Sequence, residues 1–206
     1  EVLWRARHPV AIVTKSNLVL RDLDILAPMA AAKLARVSVS VTTLDPTLAR
    51  KLEPRAPRAD LRLETIRRLA HAGIPTAVLA APMIPALNDD ELEAILEAAA
   101  AAGAGSAGYI LLRLPLEIKA LFIEWLEAHF PERKQRVLAL LRETRGGKLY
   151  DPRWGKRMKG EGVYAELLAR RFELACKRLG LGRADWDLDT GQFVRPTPHG
   201  EQLTLF

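Results

Sequence analysis

The residues best suited to ligand chemistry follow short β-branched runs in the first half of the chain. Lys15 and Ser16 come directly after the first run, and Ser40 and Thr42 occupy alternate positions at the end of the second. A lysine ammonium at such a place can bind a carboxylate or a phosphate, and two hydroxyls on one strand face can serve one ligand. The alternative is that Lys15 caps its turn and that both hydroxyls bond to the local backbone.

A stiff, proline-bracketed turn follows the third run. Ala81, Pro82 and Ile84 belong to the sequence Ala-Pro-Met-Ile-Pro, whose fixed backbone can be held against a flat ligand such as adenine. A rigid strand-to-helix turn without a ligand is the more common outcome. Arg113, after the fourth run, is interpreted either as a clamp for a phosphate or carboxylate or as one side of a salt bridge at the rim. Glu53 and Arg55 are interpreted either as residues that orient a substrate or as a pair at the surface, which is the usual outcome.

Aromatic and cationic side chains alternate between residues 148 and 160. The cations there are Lys148, Arg153, Lys156, Arg157 and Lys159, beside Tyr150 and Trp154. This composition suits phosphate neutralisation together with base stacking. An ordinary solvated loop whose two aromatic rings pack inward explains it equally well. Residues 146–183 hold ten basic and four acidic residues, so this segment carries the whole formal excess of +6.

Length and composition restrict the class of protein. The chain has 206 residues, of which 49% are hydrophobic and 27% charged, values typical of one globular domain with an appendage. Its longest apolar stretch is too short to span a membrane. The single cysteine, Cys176, excludes a disulfide framework and a multi-cysteine metal site within this chain. We therefore expect a protein of the reducing cytoplasm. Because the sequence begins at Glu1 without a leader, we also expect it to derive from a longer one.

The elements that position these residues alternate along the first half of the chain. The predicted strands are 10–13, 37–41, 76–81 and 107–112, and the predicted helices between them are 18–35, 61–72 and 88–102, the last opened by Asn88 as N-cap with Glu91 as its capping-box partner. Such alternation predicts parallel βαβ units, in which functional groups gather at the carboxyl ends of the strands.

The second half of the chain is predicted to be helical. Helices are expected over 118–130, 133–144 and 164–179, with loop and tail from Gly180 onward. The predicted organisation is an α/β part over 1–117, a helical extension with the basic Gly-rich loop over 118–182, and a flexible tail over 183–206.

Six motifs occur in an order that resembles a known family. They are Val-Thr-Lys-Ser (13–16), Ser-Val-Thr-Thr-Leu-Asp (40–45), Leu-Glu-Pro-Arg-Ala-Pro (52–57), Ala-Gly-Ile-Pro (72–75), Ala-Pro-Met-Ile-Pro-Ala-Leu-Asn-Asp (81–89) and Leu-Arg-Leu-Pro (112–115). Together with the basic loop, they resemble the later two-thirds of a bacterial radical S-adenosylmethionine (radical SAM) family related to spore photoproduct lyase. The resemblance covers residues 8–182.

This resemblance implies a fold, a cofactor and a reaction. The fold is the later strands of a partial (β/α) barrel with a helical C-terminal extension. The reaction is reductive cleavage of S-adenosylmethionine by a [4Fe-4S] cluster, giving a 5′-deoxyadenosyl radical that abstracts hydrogen from a substrate. In the relatives, a lysine and a serine that match Lys15 and Ser40 contact S-adenosylmethionine, and the turn that matches Ala81 to Ile84 lies beside the adenine. A role in DNA repair follows from the same likeness.

One departure from the family concerns the cluster. Members hold it with three cysteines in a CxxxCxxC-type loop, and this sequence has no cysteine before Cys176. The favoured interpretation is a C-terminal fragment of a longer lyase-like enzyme, with a decayed or split protein as the other. The chain alone is expected to hold no cluster and to be inactive, so that metal ligands are assigned to none of its residues.

The last five residues suggest a partner. Gln202, Leu203, Leu205 and Phe206 belong to the terminal sequence Gln-Leu-Thr-Leu-Phe, which resembles the short peptide by which bacterial repair and replication proteins dock on the sliding clamp. Two apolar side chains on a tether are a workable anchor in an apolar pocket. The alternative to an enzyme fragment is thus a non-catalytic module that binds nucleic acid or the sliding clamp.

Overall fold

Five parallel strands form one sheet in the sequential order β1 to β5. The computed structural model describes residues 1–154, 156–183 and 188–195. The strands are β1 (Val10–Thr14), β2 (Ala35–Val41), β3 (Thr76–Met83), β4 (Ser106–Leu111) and the two-residue β5 (Gly182–Arg183). Each pairs in parallel with the next. The predicted α/β class with a parallel sheet is confirmed, and β5 is an addition to it.

Nine α-helices surround the sheet within these described residues. They are α1 (Val2–Arg5), α2 (Leu23–Ala31), α3 (Pro46–Leu52), α4 (Ala59–His71), α5 (Leu92–Ala101), α6 (Ile118–His129), α7 (Pro131–Glu143), α8 (Lys156–Lys159) and α9 (Val163–Leu179). Short 3-10 turns precede α2 and α5, at Asn17–Asp22 and Asp89–Glu91, and a third covers Thr190–Gln192. The crossovers between successive strands therefore run through helices, as parallel strands require.

Two details of the predicted elements are wrong. The helix predicted over 18–35 ends at Ala31, because Lys33 adopts a left-handed backbone (φ 58°) and Ala35 already pairs with β1. The alanine-rich sequence favoured helix, but the alternating valines that follow Ala35 bury better as a strand. Asn88 does occupy the N-cap position of the 3-10 turn before α5, but its side chain makes no capping bond there. Its partners lie in two other loops, as described below.

The main core lies on one face of the sheet. Val37, Val39 and Val41 point from β2 into a cluster shared with helices α2, α4, α5 and α9. The side chains at alternate positions face the other way, and on that face Val13 is 64% exposed. The period of two that predicted β2 thus separates an apolar, helix-covered face from a face that remains accessible near β1.

A second core lies beyond the carboxyl ends of the strands. Ile84 and Leu87 from the turn after β3 pack there with Leu114 and with the buried sides of α3, α6 and α7. Trp125 on α6 donates a hydrogen bond to the carbonyl of Lys51, 3.0 Å away, which ties α6 to α3. The loops at this edge are therefore fixed by their own apolar cluster.

The segment 188–195 crosses the opposite edge of the sheet. The amide of Asp189 donates to the carbonyl of Lys33 (2.9 Å), and the amide of Val194 donates to the carbonyl of Ala6 (2.8 Å). Both acceptors precede a strand, so this segment lies at the amino ends of β1 and β2. The tail that carries Gln202, Leu203, Leu205 and Phe206 lies outside the described residues. Of the helices that the structure describes, none is long and apolar enough to cross a membrane.

Candidate functional site

The carboxyl ends of β1, β2 and β3 meet at the side chain of Thr42. Its hydroxyl lies 3.0 Å from the carbonyl oxygen of Ala81 and 3.0 Å from Oε1 of Glu53. The same Oε1 accepts a hydrogen bond from the ammonium of Lys15. Three strand ends that are far apart in sequence are thus joined around one carboxylate.

Glu53 is the centre of this group. Its second oxygen accepts from the guanidinium of Arg62 at 2.5 Å, and Arg62 also donates to the carbonyl of Ser40 at 3.0 Å. Burial alone would raise the pKa of Glu53, but the hydrogen bonds and charges of Lys15 and Arg62 outweigh it and hold that pKa below its ordinary value. The carboxylate therefore stays ionised and fixes both cations. The expected surface pairing of Glu53 with a nearby arginine is replaced by a buried one.

Asn88 fastens the turn after β3 to the end of β2. Its Oδ1 accepts from the amide of Ile84 (2.6 Å), while its Nδ2 donates to the carbonyls of Thr42 (2.7 Å) and Pro82 (3.0 Å). Asn88 is fully buried and cannot bond to water, so its side chain depends on these three hydrogen bonds. A cis peptide between Ala81 and Pro82 coincides with a register shift between β3 and β4. The backbone of this turn is consequently held in one position.

Glu91 holds the neighbouring loop instead of closing a capping box. Its carboxylate accepts from the hydroxyl of Thr43 and from the amides of Leu44 (2.5 Å) and Asp45 (3.3 Å). This contact spans more than forty residues of sequence. The loop after β2 is thereby pinned to the start of α5.

The predicted ligand-binding residues fall into two groups. Lys15, Thr42, Ala81, Pro82 and Ile84 take part in the hydrogen-bonded group just described, and Ser40 contributes its carbonyl to it. Ser16 is engaged locally, because its hydroxyl accepts from the amide of Leu18 at 3.1 Å and caps the following 3-10 turn.

A second polar cluster lies at the end of β4. Arg113 donates to the hydroxyl of Tyr150 (3.4 Å) and to the sulfur of Met158 (3.7 Å), both weak partners at these distances. Arg145 is only 2% exposed and donates to the carbonyls of Lys156 (2.7 Å) and Leu112 (3.0 Å). The end of β4 is therefore surrounded by two guanidinium groups.

The cations of the basic loop differ in their engagement. Arg153 binds Asp151, with Nε to Oδ2 at 2.8 Å, and this bond lowers the pKa of the Asp151 carboxyl to about 2. Lys156 pairs with Glu161. Arg157 instead lies 4.2 Å from the ring centroid of Trp154, whose side chain is 85% exposed. Of the two alternatives for this loop, inward packing does not hold for Trp154, whereas Tyr150 is partly buried.

Two of the arginines on helix α9 are neutralised by carboxylates of helix α5. Arg171 binds Glu93 on α5 at 2.6 Å, and Arg178 pairs with Glu97 one turn further along α5. The basic excess read from the sequence is thus concentrated in the loop rather than spread along the helix. The loop ends at Gly160 (φ 79°), where an added Cβ would lie 2.9 Å from a methyl group of Leu111.

The residues of this chain do not fit an iron–sulfur cluster. Cys176 is buried on α9, where burial raises the pKa of its thiol to about 11. A cluster needs three or four thiolates at one place, and the sequence holds one cysteine. The described residues contain no group of three or more His, Cys, Asp or Glu side chains placed to hold a metal ion.

Sequence analysis named Glu53 and Asn88 without their partners, and it missed Arg62. Glu53 and Arg62 were separated from Lys15 by long stretches of chain, and only the sheet register brings them together. Asn88 precedes a helical pattern, and an Asn at such a position is compatible with two roles. It can cap the helix, or it can be a buried residue that hydrogen-bonds to the backbone of neighbouring loops. Arg62 lies near the start of the amphipathic helix α4, on the side that also buries Ile66 and Leu69. A charged residue at such a position of the helical pattern is the sequence signal that points to the network.

Comparison with known proteins finds a family model that matches part of this chain. Residues 5–99 match the model of the Radical SAM superfamily. Uncharacterized proteins of Mycobacterium bovis and Mycobacterium tuberculosis are 35% identical over 136 residues, which is 65% of this chain and 40% of theirs. An uncharacterized protein of Methanocaldococcus jannaschii is 31% identical over 85 residues, 41% of this chain and 32% of its own length. The chain thus spans less than half the length of these relatives.

Solved structures give the same fold. A mutant of spore photoproduct lyase superposes with a TM-score of 0.59 at 19% identity, over 87% of this chain and 54% of that one. Spore photoproduct lyase complexed with dinucleoside spore photoproduct gives 0.59 at 18% identity over the same shares. A further mutant, with bound AdoMet and dinucleoside spore photoproduct, gives 0.53 at 17% identity, again over 87% and 54%. The chain is therefore related to the radical SAM superfamily through residues 5–99, and its partial barrel has the fold of spore photoproduct lyase.

Proposed function

We propose that this chain is the S-adenosylmethionine-binding part of a lyase-like radical SAM enzyme. The observation that carries the proposal is the Glu53-centred group at the strand ends, which lies wholly within the residues matched by the superfamily model. It holds a lysine, a threonine and a rigid turn at one edge of a parallel sheet, where ligands of such folds bind. The chemistry of the parent enzyme is reductive cleavage of S-adenosylmethionine to a 5′-deoxyadenosyl radical.

Each proposed contact uses a group that the fold has already oriented. The ammonium of Lys15 has three donors, of which Glu53 takes one, and its side chain is 38% exposed, so it can bind the methionine carboxylate as well. Ser16, Ser40 and Thr42 supply hydroxyls along the same edge. Because Asn88 fixes the backbone of Ala81, Pro82 and Ile84, that turn is suited to the edge of an adenine ring.

The [4Fe-4S] cluster is assigned to the parent protein. This chain has one buried cysteine and spans 40% of the length of its mycobacterial relatives, so the cluster ligands are proposed to lie in the rest of such a protein. The chain alone is expected to be inactive. A superfamily with iron–sulfur chemistry and an unpaired cysteine fits a reducing cytoplasm, which we propose as its location.

The test uses the full-length parent, prepared anaerobically with iron and sulfide. S-adenosylmethionine binding is measured by equilibrium dialysis, and 5′-deoxyadenosine is measured after reduction with dithionite. Lys15→Ala should weaken binding about tenfold, because it removes one charge-assisted hydrogen bond. The matched control is Lys177→Ala on α9. That residue lies near β5, which pairs with the first two residues of β4, at the amino end of that strand.

Two results would contradict the proposal. If Lys15→Ala and Lys177→Ala bind S-adenosylmethionine as tightly as the wild type, Lys15 is not part of the site. If the intact, folded parent forms neither a cluster nor 5′-deoxyadenosine, the alternative of a non-catalytic binding module is favoured.

A nucleic-acid substrate is the finer part of the proposal. The outward Trp154 with Arg157 against its ring supports it, because an exposed aromatic ring beside a cation can stack on a base and neutralise a phosphate. Lys148 and Lys159 are exposed in the same loop, and Arg153 and Lys156 border it. Changing Lys156, Arg157 and Lys159 to Ala should flatten the salt dependence of DNA binding by the parent, and an unchanged slope would exclude this loop.

The proposed partner of the tail is the bacterial sliding clamp. This rests on Gln202, Leu203, Leu205 and Phe206 in the sequence alone. Replacing Leu205 and Phe206 by Ala should abolish binding of the parent to purified clamp in surface plasmon resonance. Unchanged binding, or none by the wild type, would remove this partner. Together with the lyase-like fold, it is the basis for proposing a role in DNA repair.

A further inference from the structure

Two neighbouring guanidinium groups at the end of β4 lack a counter-ion of their own. Within the described part of the chain, neither Arg113 nor Arg145 has a carboxylate oxygen within 4.0 Å. Burial lowers the pKa of Arg145, and the charge of Arg113 lowers it further while Asp151 raises it. That Asp151 is already bound by Arg153. Paired positive charges in a desolvated place are costly without an anion between or beside them.

Some donors of these two groups are also unused. The Nε of Arg145 and the Nε of Arg113 are buried without a hydrogen-bond partner among the described residues. The remaining contacts of Arg113 are a thioether sulfur and a long bond to the hydroxyl of Tyr150. Both are weak enough to be exchanged for an oxyanion, which guanidinium groups bind in bidentate fashion.

A cavity opens beside this cluster. Its volume is about 190 Å³, and it is lined by Arg145, Gly146, Lys148, Tyr150, Asp151, Pro152 and Arg153. Arg113 is not part of this lining but contacts it through the hydroxyl of Tyr150. Three cations and one carboxylate line it, so the lining carries a net charge of +2. Pockets for whole small molecules are usually larger, about 300 Å³ or more. The cavity therefore suits one anionic group of a larger ligand that continues outside it.

We propose that this cavity is a phosphodiester-binding subsite, in which Arg145 and Lys148 hold one backbone phosphate of a single-stranded nucleic acid and Arg113 moves from Tyr150 onto the same oxygens. The inference deepens the proposed nucleic-acid substrate and rests on it. The next base would reach Trp154, which lies in the same loop. Because the subsite accepts one phosphate at one place, it would fix the position of the nucleic-acid strand along the loop.

The experiment measures binding of the parent protein to a fluorescent single-stranded decanucleotide by anisotropy, over a range of salt concentrations. Its partner probe is the same sequence with uncharged methylphosphonate linkages. Arg113→Gln should weaken binding of the charged strand about tenfold and should lower the salt slope by roughly 0.7, the value for one phosphate contact on a single strand. Affinity for the uncharged strand should stay within about twofold.

Two further variants guard against a purely structural effect. Arg113→Lys keeps the charge and should retain the salt slope. Arg142→Gln removes an exposed guanidinium from the end of α7 and should leave both strands bound as in the wild type. Equal losses for the charged and uncharged strands, or an unchanged salt slope in Arg113→Gln, would overturn the subsite.

Inorganic phosphate tests the cavity without nucleic acid. It should raise the Tm of the wild type at millimolar concentration, relative to chloride of equal ionic strength, and Arg113→Gln should lose that increase. If phosphate stabilises the protein but no strand binds, the ligand is a free phosphate group and the assignment to nucleic acid is overturned. If neither probe has an effect, the subsite itself is overturned, while S-adenosylmethionine binding in the same preparation reports separately on the proposed enzyme.

Discussion

Replacing Glu53 by Gln tests the group that holds the strand ends together. The side chain of Arg62 is only 4% exposed and that of Glu53 is 12% exposed, so the substitution leaves a buried arginine without its carboxylate. Breaking a buried ion pair on one side usually costs about 3–5 kcal/mol. Arg62 keeps two carbonyl acceptors, on Pro57 and Ser40, which reduces the loss. We expect the free energy of unfolding to fall by about 3 kcal/mol.

The pH dependence gives the prediction a second signature. The pKa of Glu53 lies below its ordinary value of 4.5 in the folded chain. As pH falls, the unfolded state takes up this proton first, so the stabilisation is complete above about 4.5 and disappears as pH falls through the lowered folded pKa. The difference in the free energy of unfolding between the wild type and Glu53→Gln should therefore be constant from neutral pH down to about 5. Below that pH the difference should become smaller.

The assay is urea denaturation of the wild type and the variant, followed by circular dichroism at several pH values. Glu64→Gln is the matched control, because Glu64 pairs with Arg67 on the exposed surface of α4. It should leave the midpoint of unfolding unchanged. A midpoint for Glu53→Gln equal to that of the control at pH 7 would refute the argument that this carboxylate stabilises the strand ends.

Three further predictions concern the loops and the core. Asn88→Ala leaves three buried backbone groups without partners and should cost about 3 kcal/mol of unfolding free energy, whereas the exposed Asn17→Ala should change it little. Gly160→Ala combines a left-handed backbone with a steric clash and should lower the free energy of unfolding by about 3 kcal/mol. Gly147→Ala also has a positive φ but meets no neighbouring atom, so it should cost about 1 kcal/mol. The urea midpoints of both pairs of variants measure these losses. Cys176 should react with iodoacetamide at pH 8 only after unfolding, as mass spectrometry would show, because its thiol pKa of about 11 leaves very little thiolate.

The strands were predictable because their signal is local. The alternating valines of β2 and the short apolar runs of β1, β3 and β4 need no knowledge of their neighbours. By contrast, β5 consists of Gly182 and Arg183, which have no strand pattern. They pair with β4 because they follow shortly after α9, whose packing places them beside that strand. A two-residue strand of this kind follows from the packing of its helix and not from its own residues.

The side-chain partners were less predictable than the site residues themselves. Lys15 was identified from its place after a strand, but its carboxylate partner lies 38 residues away and depends on the sheet register. Asn88 illustrates the opposite error, since a strong local pattern favoured a cap. Its amide binds the carbonyls of Thr42 and Pro82 instead, and because Asn88 itself is fully buried, water does not compete for these bonds.

The crossing of the sheet by residues 188–195 places this segment at the edge opposite to Lys15. Arg195 follows a segment fastened to Ala6 and Lys33, at the amino ends of β1 and β2. Strand β2 separates that edge from the Lys15 edge by about 20 Å. A fluorophore attached at Val194 would therefore stand at the amino ends of the strands, opposite the Lys15 edge. A fluorophore placed at Trp154, in contrast, would lie against Arg157 of α8, the helix that packs on β4.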